Sequence, residues 1–197
     1  GLDQRIGSKF LHAGAGYGGS CFPKDTKALL QMGKEQDTPM GLVAAAIDAN
    51  ERQPVRAVAK LRELAGGDLQ GLKVALLGLS FKPNTDDVRE AAALKIARML
   101  IAEGATVRGY DPVAGENAKL AMPELELATD TYDCLEGADA LVIATEWNEF
   151  RVLDLDMLAA SLGRKLVVDC RNIFDAKLME EAGLGYAAFG KPQKEQA

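Results

Sequence analysis

The chain has 197 residues, of which 48% are hydrophobic, 26% charged and 6% aromatic. That length suits one or two compact domains with a sizeable core, and the composition excludes collagen-like, mucin-like and disulfide-framework chains. A net charge of −6 argues against nucleic acid as a partner, and no apolar run approaches the roughly 20 residues that span a bilayer.

The charge is uneven. Residues 1–64 carry nine Lys and Arg against seven Asp and Glu, whereas residues 65–197 carry fourteen against twenty-two. An anion meets less repulsion in the first part. Three distant cysteines (Cys21, Cys134, Cys170) and the single His12 form no zinc-ligand spacing, so no metal is expected. Reduced thiols and a cytoplasmic location are the default reading. The opening Gly1-Leu2-Asp3-Gln4-Arg5 is neither a signal nor a transit peptide, and the missing Met suggests a fragment or a trimmed chain.

Residues 1–21 read as a glycine-dense loop with one short extended piece. A helix is predicted next, with Pro23 in its first turn and Ala28, Leu29 and Met32 on its buried face. Thr38 then caps a second helix that has Pro39 in first position. Val43, Ile47, Asn50, Pro54, Val58 and Leu61 make one stripe along this long helix, and Pro54 is expected to kink it. The stripe suits either a core helix or a dimer interface. Gly66-Gly67 and Gly71 mark a boundary, dividing the chain into residues 1–65 and 66–197.

Beyond that boundary the pattern alternates. Strands are predicted at 73–78, 106–111, 140–144 and 166–169. Helices are predicted at 91–103, 115–121, 133–137, 154–162 and 175–182. Buried strands alternating with helices give an α/β fold: a long central helix followed by a Rossmann-like, doubly wound parallel sheet. Ligands on such sheets sit beyond the carboxyl ends of the strands, here Leu79 to Pro83, Asp111-Pro112, Thr145 to Trp147 and Cys170 to Asn172. Residues 191–197 read as a polar tail.

Gly14-Ala15-Gly16-Tyr17-Gly18-Gly19 matches G-x-G-x-x-G, but no strand precedes it and none follows within the next 20 residues or so, so a dinucleotide site is not expected there. The strand ending at Gly78 has the right topology, yet it continues Leu79-Ser80-Phe81-Lys82-Pro83 without the glycines that admit a pyrophosphate. Four glycines in six residues instead indicate a tight loop or close backbone approach. Cys21 stands just before a predicted helix N-terminus, where the helix dipole and Lys24 favour a thiolate. Asp25, one turn on, is placed to activate water or hold a proton. The alternative is an inert buried cysteine, which is the reading preferred for Cys134 and Cys170.

The run from Arg5 through Lys9-Phe10-Leu11-His12-Ala13-Gly14 to Gly18-Gly19-Ser20-Cys21-Phe22-Pro23-Lys24-Asp25-Thr26 resembles the catalytic segment of the UDP-glucose/GDP-mannose dehydrogenase family. Asn50-Glu51-Arg52-Gln53, Gly78-Leu79-Ser80-Phe81-Lys82-Pro83, Thr145-Glu146-Trp147 and Asp169-Cys170-Arg171-Asn172 are also similar to it. Departures are Ala15, where proline is common, and Ala91-Ala92-Ala93. The wording around Cys21 favours the UDP-glucose branch over the GDP-mannose and UDP-N-acetylmannosamine branches. The resemblance implies oxidation of UDP-glucose to UDP-glucuronate with two NAD and one water, through a Cys21 thiohemiacetal and thioester, with Asp25 handling the water. It assigns Phe10, Leu11, His12, Ala13, Gly14, Tyr17 and Gly18 to cradling the sugar nucleotide. Phe81, Lys82 and Arg171 contact it, Arg5 reaches the neighbouring subunit's site, and Arg89 (with Cys21) approaches the NAD. It also implies a homodimer through the central helix, and a preceding NAD-binding domain that supplies a catalytic lysine and asparagine. Two other readings stay open: a nucleotide-sugar-binding and dimerisation module without turnover, and an unrelated thiol-dependent acyl-transfer enzyme.

Overall fold

The computed structural model describes residues 1–191, apart from the side chains of Lys9 and Phe10. The tail expected at 191–197 therefore lies, after Lys191, outside the described residues. A 3-10 helix, Ser8–Leu11, stands where an extended piece was expected. Two helices follow, α1 (Cys21–Glu35) and α2 (Gly41–Leu64). The sheet domain then runs β1 (Lys73–Leu77), α3 (Ala92–Ala102), β2 (Thr106–Tyr110), α4 (Gly115–Ala121), β3 (Glu126–Leu127), α5 (Thr131–Leu135), β4 (Ala140–Ile143), α6 (Leu155–Ser161), β5 (Leu166–Asp169), α7 (Ala176–Glu181) and β6 (Gly185–Ala188), with a second 3-10 helix at Asn148–Val152.

The strands form one six-stranded sheet in the order β3-β2-β1-β4-β5-β6, every pair parallel. This is the doubly wound order, whose reversal between β1 and β4 opens a crevice at their carboxyl ends. The two-residue side-chain period of a strand divides the core. Val74 and Leu76 pack with Ala57, Val58 and Leu61 of α2 and with Leu94, Ala97 and Leu100 of α3. Ala75 and Leu77 pack on the other face with Phe150, Leu158 and Met179. The strands are buried on both faces because helices cover both. The second half of α2 thus shares the core of the sheet.

Several local expectations are corrected. Ala28, Leu29 and Met32 are exposed rather than buried, because α1 rests on the rest of the chain through Pro23 and Gly33. Thr38 does not cap α2. Its hydroxyl donates to the Gln36 carbonyl (3.2 Å), and α2 begins at Gly41 after Met40. Helix α2 runs on through Pro54 to Leu64, with one rung of its hydrogen-bond ladder missing where proline has no N–H. The helix predicted at 133–137 starts earlier, where the Asp130 carboxylate accepts from Asp133 N (2.9 Å). The edge strands β3 and β6 had no period-two signal. They are held by register to Arg108 and Gly109, and to residues 166–169.

Two buried aspartates tie the strand ends that frame the crevice. Asp111, following β2, accepts on Oδ2 from Leu79 N (2.8 Å), Ser80 N (3.0 Å), Ser80 Oγ (2.9 Å) and Trp147 Nε1 (3.1 Å). Its Oδ1 accepts from Val113 N (3.0 Å) and Ala114 N (2.9 Å). Asp169, ending β5, accepts from Arg171 N, Phe174 N and the Tyr186 hydroxyl. Burying a carboxylate is tolerable only when its lone pairs are filled this way. Asp111→Asn turns one acceptor into a donor facing donors, and is expected to cost about 2–4 kcal/mol. A lower urea midpoint at unchanged slope is the measurement that checks it.

Candidate active site

The glycine loop between the first 3-10 helix and α1 is fixed by one side chain of α2. Asn50 accepts from Tyr17 N on Oδ1 (2.7 Å) and donates from Nδ2 to Tyr17 O (3.2 Å). This pair reproduces the two bonds of a strand partner and leaves the Tyr17 side chain free. Gly16 has φ +114°, and a Cβ there would stand 2.6 Å from Asn50 Oδ1 and 3.3 Å from the Asn50 carbonyl, the group that Pro54 cannot serve. The interruption of the helical ladder and the loop's docking point therefore coincide. Gly19 N donates to Arg89 O (2.8 Å), tying the loop to the segment before α3. The rings of Tyr17 and Phe22 meet edge to face at 4.6 Å.

Held there, the loop roofs a cavity of about 740 Å³ over the carboxyl ends of β1, β4 and β5. His12, Ala13, Gly14, Tyr17 and Gly18 line it from the loop, and Phe81, Lys82 and Arg171 from the sheet. These are eight of the residues the resemblance assigned to the sugar nucleotide. Lys82 Nζ lies 5.3 Å from the centre of the Phe81 ring. A Cβ on Gly14 would displace the guanidinium of Arg171, which occupies that space. Leu11 is exposed and Arg5 pairs with Asp3 (2.7 Å), both outside the lining. Phe10 carries no described side chain.

The structure adds lining residues absent from the expected set: Gly16, Phe22, Gln53, Pro83 and Glu146. Gln53 Oε1 is buried with no hydrogen-bond partner among the described residues. Gln53 follows Asn50 by three, on the same helix face, and that spacing was its available signal. Glu146 lies in the segment just after β4 and pairs with Arg171, and its position beyond a strand end was the corresponding clue.

Cys21 is the first residue of α1 and is exposed, its Sγ 3.6 Å from Ser20 Oγ. It borders the cavity through Phe22 rather than lining it. Asp25, one turn along, is exposed and pairs with Lys24 (3.4 Å). Arg89 pairs with Asp87 (2.9 Å), which holds its guanidinium above the ordinary range, with smaller contributions from Cys21 and Asp86. The other thiols differ. Burial pushes Cys134 up to about 12, and burial also raises Cys170. Helix α1 is clamped from the side by Glu90, which bridges Lys27 (3.2 Å) and Lys95 (3.0 Å). Lys95 and Lys27 hold the Glu90 carboxyl below its usual 4.5.

The crevice of this sheet does not fit a dinucleotide held in the usual manner. The acidic residue ending β2 would take the adenosine ribose, but Asp111 is buried and filled by its own neighbours. The turn after β1 also lacks the glycines for a pyrophosphate. Among the described residues no helix is long and apolar enough to cross a membrane, and no cluster of three His, Cys, Asp or Glu is placed to hold a metal.

The fold and site define a doubly wound nucleotide-type domain with a thiol-bearing glycine loop docked over its crevice. Comparison with known proteins gives this class a family. The UDP-binding domain of the UDP-glucose/GDP-mannose dehydrogenase family matches residues 75–176, and the family's central domain matches residues 1–52. The chain belongs to that family. The UDP-glucose 6-dehydrogenase of Rhizobium meliloti (strain 1021) is 50% identical over 192 residues, 98% of this chain and 44% of that protein. UDP-glucose 6-dehydrogenase TuaD of Bacillus subtilis (strain 168) is 46% identical over 193 residues, 98% and 42%. The solved structure of a UDP-glucose dehydrogenase from Pyrobaculum islandicum matches with a TM-score of 0.79 and 40% identity, over 90% of this chain and 39% of that one. The chain spans less than half the length of these relatives.

Two outcomes test the site's architecture. Asn50→Ala removes both bonds to Tyr17 and is expected to cost about 1–2 kcal/mol and to open residues 14–19 to limited proteolysis. The Glu90 clamp is pH-dependent. Its folded value lies below its unfolded one, so its stabilisation is complete above 4.5 and is lost as pH falls through the folded value. Protection factors of the α1 amides, taken relative to intrinsic exchange at each pH, should therefore fall below that range, and Glu90→Gln should abolish the step.

Proposed function

We propose that this chain is the sugar-nucleotide half of a UDP-glucose 6-dehydrogenase, oxidising UDP-glucose to UDP-glucuronate in the cytoplasm. The observation that carries this reading is the docking of the Cys21 loop, through Asn50, over a cavity at the sheet's switch point. The names of the relatives support the choice of substrate.

In this reading the diphosphate sits by Lys82 and the backbone of residues 12–18, with Arg171 at the sugar end. A phosphate oxygen needs a charge-assisted donor, and Lys82 supplies one at the cavity wall. The Cys21 thiolate adds to the C6 aldehyde, forming a C–S bond, and the aldehyde oxygen takes a proton to give a thiohemiacetal. NAD, held mainly outside this chain, would supply the two oxidising equivalents per turnover that the alcohol-to-aldehyde and adduct-to-thioester stages require. Water then cleaves the C–S bond, releasing carboxylate and returning the thiol, with Asp25 accepting the water's proton. Arg89 is assigned to the approach of NAD, whose main binding residues lie outside this chain. Arg5 serves a neighbouring subunit, the two copies pairing through α2. The division at 65/66 separates the loop-and-helix region from the UDP-sugar domain.

A second reading is favoured by the filled carboxylate of Asp111: by itself the chain binds sugar nucleotide and pairs with a copy, without turnover. Calorimetric titration with UDP-glucose, UDP-glucuronate and GDP-mannose tests both. The uridine nucleotides are expected to bind at least tenfold more tightly than GDP-mannose, and NAD is expected to stay oxidised when added with UDP-glucose. Preference for GDP-mannose would refute the branch. NADH formation would refute the second reading.

A further inference from the structure

Among the described residues two cations, Lys82 and Arg171, line the cavity, but one is already spoken for. Arg171 Nε lies 2.6 Å from Glu146 Oε2, and Arg171 Nη2 donates to Glu146 Oε1 at 2.7 Å. The two side chains are 17% and 18% exposed, so solvent screens the pair poorly. Arg171 is restrained twice more. Its backbone N–H donates to Asp169 Oδ1 (2.9 Å), and its guanidinium fills the space above Gly14. Lys82, in contrast, lies over the Phe81 ring on the same cavity wall.

We propose that Glu146 is a positioning and specificity residue: it holds Arg171 in a neutral, hydrogen-bonded ion pair that disfavours phosphate and accepts a hydroxylated ring, leaving Lys82 as the cation for the diphosphate. The discrimination is electrostatic. A lone guanidinium at a cavity wall is a strong phosphate ligand, because its fork matches two anionic oxygens. Paired with a carboxylate it presents no net charge, and a phosphate approaching it also meets Glu146. A hydroxyl is different, since it donates to the carboxylate and accepts from a guanidinium N–H at once. The pair therefore suits a sugar hydroxyl and discriminates against sliding the diphosphate into the sugar's place. This inference rests on the sugar-nucleotide reading above.

The test is calorimetric titration of the chain and its variants with UDP-glucose, UDP and inorganic pyrophosphate, at low and at physiological salt. Glu146→Gln is expected to bind UDP and pyrophosphate several-fold more tightly, with a steeper loss on adding salt. Its preference for UDP-glucose over UDP should fall at least tenfold. Glu146→Asp, which keeps the charge, should restore part of that preference. Lys82→Ala should lose at least tenfold in UDP affinity while keeping the preference for the sugar. Weaker or unchanged UDP binding by Glu146→Gln, with the sugar preference intact, would overturn the proposal and leave Glu146 a structural partner. If the unmodified chain binds pyrophosphate but no UDP-sugar, the functional reading fails. The pyrophosphate series then still decides whether Glu146 shields Arg171.

Discussion

The two hydrogen bonds between the Asn50 carboxamide and the backbone of Tyr17 are the constraint on which the site depends. A loop with four glycines between residues 14 and 19 has little side-chain surface to bury and a large entropy to lose. Without a partner for its backbone it would not stay over the sheet. Asn50 provides a donor and an acceptor at fixed spacing from a rigid helix, at the point where Pro54 leaves the helix's own carbonyl unserved. Everything downstream follows from that anchorage. Tyr17 meets Phe22, Gly19 reaches Arg89, and α1 starts with Cys21, next in sequence to the cavity-lining Phe22.

The opposite wall is built on a different principle. Parallel strands that end together expose backbone donors, and Asp111 and Asp169 satisfy them from inside. A doubly wound sheet commonly offers the acidic residue after its second strand to a ribose. Here that residue is consumed in holding Leu79 and Ser80, so the segment that follows, Phe81-Lys82-Pro83, is presented rigidly to the cavity. The topology of a dinucleotide domain is retained while its chemistry is redirected toward a different ligand. The family's separation of a UDP-binding domain accords with this.

Charge is distributed in the same spirit. The sheet domain is strongly acidic, yet the cavity wall carries Lys82 and the Glu146–Arg171 pair. Glu90 joins α1 to α3 through two lysines, so the helix bearing the thiol is held by ion pairs rather than by an apolar face.

Much of the architecture could be read from residues alone. The buried runs of β1, β2, β4 and β5 are continuous and apolar because both faces are covered, and their order of appearance with helices between them implies a parallel sheet. The cavity-lining segments were legible as strand ends, and the start of α1 at Cys21 was legible from Pro23 in its first turn. The edge strands β3 and β6 were not legible, because a strand two to four residues long carries no period of its own and exists only through its neighbour's hydrogen bonds. The roles of Asn50, Gln53 and Glu146 were likewise hidden. A polar residue on a helix stripe or at a strand end reads as solvated until the fold brings a backbone, a cavity or a guanidinium against it. Local sequence settles which segments are apolar, which turn and which carry reactive groups. Pairings across 25 to 33 residues, such as Glu146 with Arg171 and Asn50 with Tyr17, are decided only when the chain closes, because their energy comes from desolvation that no isolated segment undergoes.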